Sequence, residues 1–318
     1  MSNYKEIHGQ SIQVVSSDPS NPTSGQLWYN STSSVLKVSS VTTAGSWASG
    51  GNMSIGRQYP GGLGTQTAGL AVGGTGTPNR TVCEEYGGAS WTTGGSLGSG
   101  RYATQGIGTQ TAGMAAGGQA GNTTVENYDG SSWTSGTAMP TGRYYGTGAG
   151  TQTSAIVFGG TAGTGTEEWN GSSWTAGGTM ANSRNTGGGG GTQTSAIFAG
   201  GGYPPTNVTE EYDGSSWTSG GNLSTDRMNA NGVAANSDSA LVFGGNNDGT
   251  PKLSATEEYD GSSWTNAASL SLARNNIGGL GTASAGLAYG GHASPGTTNT
   301  SEEYTGAGAI VTETVTTS

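Results

Sequence analysis

Charged residues make up only 9% of this chain, so their placement is the first place to look for chemistry. Six of the seven arginines, Arg57, Arg101, Arg143, Arg184, Arg227 and Arg274, recur at intervals of 41 to 47 residues. Glu84, Glu126, Glu167, Glu210, Glu257 and Glu302 recur in the same register. Six converging guanidinium groups would make an anion-binding cluster, whereas six separate Arg–Glu pairs would be structural. A site needed once need not be built six times. The expectation is therefore a ring of ion pairs, each linking a strand start to a neighbouring strand, with the anion cluster as the alternative.

Other chemistry is scarce. Two histidines, His8 and His292, cannot supply a His-rich metal centre. One cysteine, Cys83, excludes an internal disulfide and reads as a small buried residue. No Ser/His/Asp set is available beyond one histidine, and no phosphate-binding glycine loop precedes a helix. The chain is expected to be a non-enzyme, with no catalytic residues, no metal and no cofactor.

The frame around these residues is unusual. Of 318 residues 63 are glycine, and 31% are hydrophobic. A composition this poor in apolar residues suggests disorder. Eight tryptophans and 13 tyrosines argue instead for a folded all-β chain in which glycine marks turns and tight packing. The net charge of −10 argues against a nucleic-acid binder. No apolar stretch reaches bilayer length. The opening MSNYKEIHGQ lacks an apolar core, so no signal peptide is expected, and synthesis would be cytosolic.

Internal repeats set the architecture. Trp47, Trp91, Trp133, Trp174, Trp217 and Trp264 share a small-residue setting. A Gly-Gly pair recurs at Gly73, Gly117, Gly159, Gly200, Gly244 and Gly290. An acid-aromatic block ends at Tyr86, Tyr128, Trp169, Tyr212, Tyr259 and Tyr304. Each unit reads as four short strands: a Gly/Ala-rich one, an apolar one ending in Gly-Gly, one ending in Glu-Glu-Tyr, and one through Trp. The turn Gly-Thr-Gln-Thr follows the first strand in four of the repeats, and Asp-Gly-Ser-Ser precedes the last in three. Four strands per 40-odd residues is the signature of a propeller blade. The apolar second strand should be buried on both faces, and the glycine-rich first strand should be innermost, as in Gly187–Gly191.

Gly-Gly, Tyr, Trp and Arg in this order resemble the kelch repeat over residues 41–304. The version EEYDGSSWTSGG is similar to kelch-like proteins of marine bacteriophages, particularly cyanophages. The kelch resemblance implies a β-propeller, and the second implies a virion protein. Galactose oxidase, the enzyme among kelch folds, uses copper held by histidines and tyrosines with a Cys–Tyr crosslink, for which the residues are missing here. The Asp-box of sialidase propellers separates Asp and Gly by one residue, but Asp129–Gly130, Asp213–Gly214 and Asp260–Gly261 are adjacent and read as turns. Thr-Gln-Thr likewise reads as a turn and not as an ice-binding row.

The sixth repeat reaches Tyr304 but lacks its Trp, while Trp47 lacks a preceding repeat. The expectation is a six-bladed propeller closed by the strand around Trp47, which removes an open edge. The alternative is seven blades, with LWYN, VLKV and the C-terminal strand forming the extra one. Residues 1–40 read as an arm and a β-hairpin built on Leu27, Trp28, Tyr29, Val35, Leu36 and Val38. This hairpin resembles modules of phage tail proteins and is expected to attach the chain to other virion proteins. Residues 305–318 read as a tail or strand.

The two repeated turns should share one face of the propeller. Loops of unlike length and chemistry should share the other, and they carry Arg80, Tyr203, Pro204, Pro205, Asp248, Lys252 and His292, with Tyr59, Tyr102, Tyr144 and Tyr145 just after the arginines. Variable loops on a rigid scaffold are where recognition resides. The expected function is a virion structural protein displayed on the particle surface, for host adhesion through a cell-surface glycan or protein, or for capsid decoration. It would act without nucleic acid or membrane insertion, in one or several copies. An intracellular kelch adaptor is the alternative, and a carbohydrate-active enzyme a weaker one.

Overall fold

The computed structural model describes residues 12–20, 22, 25–41, 44–76, 80–119, 123–248, 251–308 and 310–315. They form an all-β chain with seven four-stranded sheets and a turn of 3-10 helix at Gly160–Ala162. The chain divides into a small unit, Met1–Gly45 with Gly306–Ser318, and a large unit, Ser46–Thr305.

The large unit holds six sheets in chain order. Sheet 3 is representative: Gly146–Thr151, Ser154–Gly159, Thr166–Trp169 and Trp174–Ala176 pair antiparallel in sequence order. Sheets 1, 2, 4 and 5 begin at Gly61, Gln105, Gly188 and Asn231 and follow the same order. In sheet 6 the strands Gly278–Gly281, Ala285–Tyr289 and Ser301–Thr305 are completed by Ser46–Ser49, with Trp47 opposite Tyr304. The second strands are buried along nearly their whole length, as in Ala155–Phe158 at 0% exposure. The aromatic at or next to the end of each third strand lies against the tryptophan at the start of the fourth, with ring centroids 4.8–5.3 Å apart.

The first strands touch in cyclic order around a common axis, and the cycle closes within this unit. Glycine makes this approach possible. A Cβ on Gly62 would come within 2.2 Å of the Gly279 carbonyl oxygen, and one on Gly106 within 2.3 Å of that of Gly62. No sheet closes on itself, and the arrangement is consistent with a propeller.

The sheet count corrects the expectation of six. LWYN and VLKV do pair as a hairpin, Leu27–Asn30 with Val35–Val41. Ile310–Thr314 then adds antiparallel to Val35–Val41, and Gln13–Val15 adds parallel to Leu27–Asn30, making the seventh sheet. The physical reason is that a lone hairpin is marginal in water. Its two edges are covered by segments that looked like arm and tail. Trp28, at 0% exposure, is spent inside this small unit, where its indole donates to Asp18 Oδ1 at 3.1 Å. Asn30 and Lys37 also donate to Asp18 and, with Trp28, hold its carboxyl down at about 2.

Candidate functional site

The repeated arginines are buried at 0–3% exposure, each with its own glutamate. Arg101–Glu126 and Arg274–Glu302 lie at 3.0 Å, Arg184–Glu210 at 2.6 Å and Arg143–Glu167 at 3.5 Å, and Arg57 and Arg227 pair in the same way with Glu84 and Glu257. In five sheets the guanidinium also donates to the carbonyl of the first glycine of the Gly-Gly pair, as Arg184 does to Gly200 at 2.7 Å. Each glutamate accepts in addition a backbone N–H from the connection ahead of its arginine, such as Ser224 to Glu257 at 2.6 Å. The pair thus pins the incoming connection to the third strand of its sheet. Burial lowers the pKa values of Arg101, Arg143, Arg184 and Arg227, and that of Arg274 to about 10. Guanidinium groups this enclosed present no face to an anion.

Contacts between sheets were not read from the sequence. The hydroxyls of Tyr86, Tyr128, Tyr212, Tyr259 and Tyr304 donate to the second glutamate of the preceding sheet: Glu303, Glu85, Glu168, Glu211 and Glu258. At the remaining junction Trp169 stands in place of tyrosine and Asn127 in place of glutamate. The Trp169 indole donates instead to the Gln152 carbonyl, and Asn127 Oδ1 is buried with no hydrogen-bond partner. Burial first, and the glutamate second, push Tyr86, Tyr128, Tyr212 and Tyr259 up to about 12. A group with a raised folded pKa stabilises fully below its unfolded value and loses that contribution as pH rises through the folded one. Stability is therefore expected to hold to about pH 10 and to fall cooperatively toward pH 12. Loss of tryptophan near-UV ellipticity together with the last rise of phenolate absorbance checks this; a chain still folded with all 13 tyrosines ionised would contradict it.

The Gly-Thr-Gln-Thr turn is also more than a turn. Gln66, Gln110, Gln152 and Gln193 each donate to two carbonyls of the preceding sheet, Gln152 to Gly113 at 2.7 Å and Tyr128 at 2.9 Å. Gln152→Ala leaves both acceptors without that donor and is expected to cost about 1–3 kcal/mol, read from the urea midpoint. The Asp-Gly-Ser-Ser turns lie beside these turns, with Gly130 against Thr111 and Gly214 against Thr194. Asp129, Asp213 and Asp260 accept from the following serines, which lowers their carboxyls to about 2. This face is thus largely repetitive, with the polar groups of its recurring turns bonded internally.

The opposite face is not uniform. Two residues after each repeated arginine the backbone turns left-handed, at Tyr59, Ala103, Tyr145, Thr186, Asn229 and Asn276, with φ between 51° and 61°. Such angles are uncommon outside glycine, and for a bulky or β-branched residue they are outliers. Backbone bonds run from one of these residues to the next: Ala103 to Tyr59, Tyr145 to Ala103, Thr186 to Tyr145, Asn276 to Asn229 and Tyr59 to Asn276, at 2.8–3.2 Å. They ring the mouth of the central channel, a cavity of about 110 Å³.

This mouth gathers part of the predicted set. Tyr59 and Tyr145 are 5.1 Å apart, Tyr102 lies 6.0 Å from Tyr59, and Tyr144 packs at 5.0 Å on Tyr145. Arg80 stacks over Tyr102 at 4.9 Å and donates to Gln119. Burial raises Tyr59 and Tyr145 above the usual tyrosine range. Across the mouth stand amides instead: Asn229 and Asn275 both donate to Asn246 Oδ1, and Asn276 donates to Gln58 Oε1 at 2.9 Å. His292 pairs through its backbone with Asn275, and Lys252 with Asn246. Tyr203, 79% exposed, Pro204 and Asp248 project to solvent, and Pro205 is half-buried. The amide arc was missed, and its signal was the asparagine pair at 275–276 with Asn229 at the matching repeat position.

Cys83 is buried, and burial raises its thiol to about 11. His8 lies outside the described residues. Among the described residues no group of three or more His, Cys, Asp or Glu side chains is placed to hold a metal, and no helix is long and apolar enough to cross a membrane. Neither the protein-family models nor the curated proteins give a match to this chain.

Proposed function

We propose that the large unit is a kelch-type propeller and that the chain is a non-enzymatic virion protein displaying it for recognition at a host surface. The observation that carries the recognition reading is the contrast between the two faces. One face repeats the same turns with their polar groups satisfied internally. The other holds unlike side chains on a strained backbone ring around the channel mouth, and strained residues of this kind cluster at functional sites. The virion reading is supported by the likeness of the EEYDGSSWTSGG repeat to kelch-like phage proteins.

The small unit is the attachment module in this reading. Val14, 67% exposed, and Tyr29, 36% exposed, stand opposite each other in its parallel strand pair and offer contact to another virion protein. Immunogold microscopy of purified particles with antibody to residues 41–318 tests the proposal. Gold at tail or fibre tips supports adhesion, and gold over the head supports decoration. Absence of gold, with the protein abundant in infected cells, overturns the virion reading in favour of an adaptor.

A further inference from the structure

The channel mouth has a chemical polarity that its six-fold backbone does not require. Tyr59 and Tyr145, packed edge to face with Tyr102 behind them, gather aromatic rings along the arc of sheets 1 to 3, which also lines the cavity with Thr104, Gln105 and Thr147. Thr186, Asn229 and Asn276 place a hydroxyl and two amides along the arc of sheets 4 to 6. Asn276 donates its Nδ2 to Gln58, but its Oδ1 is buried with no donor from the protein. A buried acceptor without a partner costs free energy unless something supplies a proton to it. None of the described residues that line the mouth carries a charge. The nearby cation, Arg80, is already engaged with Tyr102 and Gln119.

We propose that this mouth binds the terminal unit of a neutral glycan, with the C–H face of the sugar ring on Tyr59 and Tyr145 and its hydroxyls on Asn229, Asn276 and Thr186. The inference rests on the recognition reading above and names its ligand. An apolar wall opposite a few convergent polar groups is the general form of a small-ligand site. A sugar ring is the ligand class with one face for each wall. The uncharged lining selects against sialylated and sulfated glycans, which would bring an anion into a mouth without a free cation. The cavity of about 110 Å³ is small beside a ligand pocket of about 300–1,000 Å³, so the terminal unit enters only in part and from solvent.

The test uses the full chain on an array of neutral, sialylated and sulfated glycans, with hits titrated by calorimetry. Hits confined to neutral glycans are expected. Tyr145→Ala and Asn276→Ala are each expected to weaken binding at least tenfold, while Thr194→Ala on the opposite face leaves it unchanged. Alanine is tolerated at this left-handed position, as Ala103 shows, and a matching melting curve confirms folding. Should either variant fail to fold, Thr186→Ala reads the same site, with weaker binding expected and unchanged binding overturning it. Binding only to anionic glycans overturns the proposal. So does binding lost in Tyr203→Ala but kept in Tyr145→Ala and Asn276→Ala, which leaves the recognition face standing and moves the site to a loop. No hit on any glycan, with gold on particles, overturns the sugar site alone. Neutral hits at the mouth without gold on particles keep the site and overturn the virion reading.

Discussion

Arg227→Met is expected to lower the unfolding free energy by about 3–5 kcal/mol, the cost of leaving a buried charge without its partner. Arg227 and Glu257 are both 0% exposed. Methionine fills much of the volume but leaves Glu257 with only the Ser224 N–H, and removes the donor to the carbonyls of Gly244 and Ala255. Against a typical domain stability of about 5–15 kcal/mol this is a large share. It is read as a fall in the urea midpoint at unchanged slope. Arg227→Met with Glu257→Leu should recover a good part of the loss, because burying neither charge avoids both desolvation penalties. The Nε of each repeated arginine lacks a hydrogen-bond partner, so the pairs are themselves incompletely satisfied. Arg143→Met should cost less than Arg227→Met, since Arg143 sits at 3.5 Å from Glu167. Equal, unchanged stability in both variants would remove the structural role.

The six pairs were legible because arginine and glutamate recur in one register in all six repeats, whereas the second glutamate fails at Asn127. Contacts between sheets were harder to read, because their partners are distant: Tyr86 and Glu303 are separated by 217 positions. A signal existed in the exception. Glu-Glu-Tyr becomes Glu126-Asn127-Tyr128 in sheet 2, and sheet 3 ends in Trp169, so donor and acceptor disappear together at one junction. The indoles hold a second signal of this kind. Thr166, Thr209, Thr256 and Ser301 open their third strands and accept from Trp217, Trp264, Trp47 and Trp91. Cys83 and Val125 occupy that place in sheets 1 and 2, and Trp133 and Trp174 turn instead to the carbonyls of Gly95 and Thr137.

Other features had no sequence signature strong enough to read. Left-handed backbone favours Gly, Asn and Asp, so Asn229 and Asn276 hint at it, but Tyr59, Tyr145 and Thr186 do not. The mouth was therefore seen only as tyrosines near arginines, and its amide half went unnoticed. The seventh sheet was obscured because Gln13–Val15 is three residues long and pairs parallel, which leaves no hairpin turn to detect.

Trp47→Ala is expected to cost about 3 kcal/mol from lost packing alone, with a further consequence that no other repeated tryptophan shares. Trp47 packs on Phe243 at 5.2 Å and on Tyr304 at 5.0 Å, and its indole donates to Thr256 at 3.0 Å. Trp264 makes the same kinds of contact in sheet 5, but its strand follows Thr256–Tyr259 through a short turn, so it stays next to its partner even when loosened. The strand Ser46–Ser49 has no such tether. It is held to Ser301–Thr305 by pairing and packing across more than 250 residues of chain, and once released it can leave. Its departure exposes the edge of Ser301–Thr305 and uncovers Tyr304. Trp47→Ala should therefore open sheet 6 below the global transition, seen as early hydrogen exchange at Glu302–Tyr304 and as protease cleavage near residue 50. Trp264→Ala should lose comparable stability with exchange rising uniformly across the large unit. Identical exchange patterns in the two variants would mean that the closing strand is held by more than its tryptophan and its ladder.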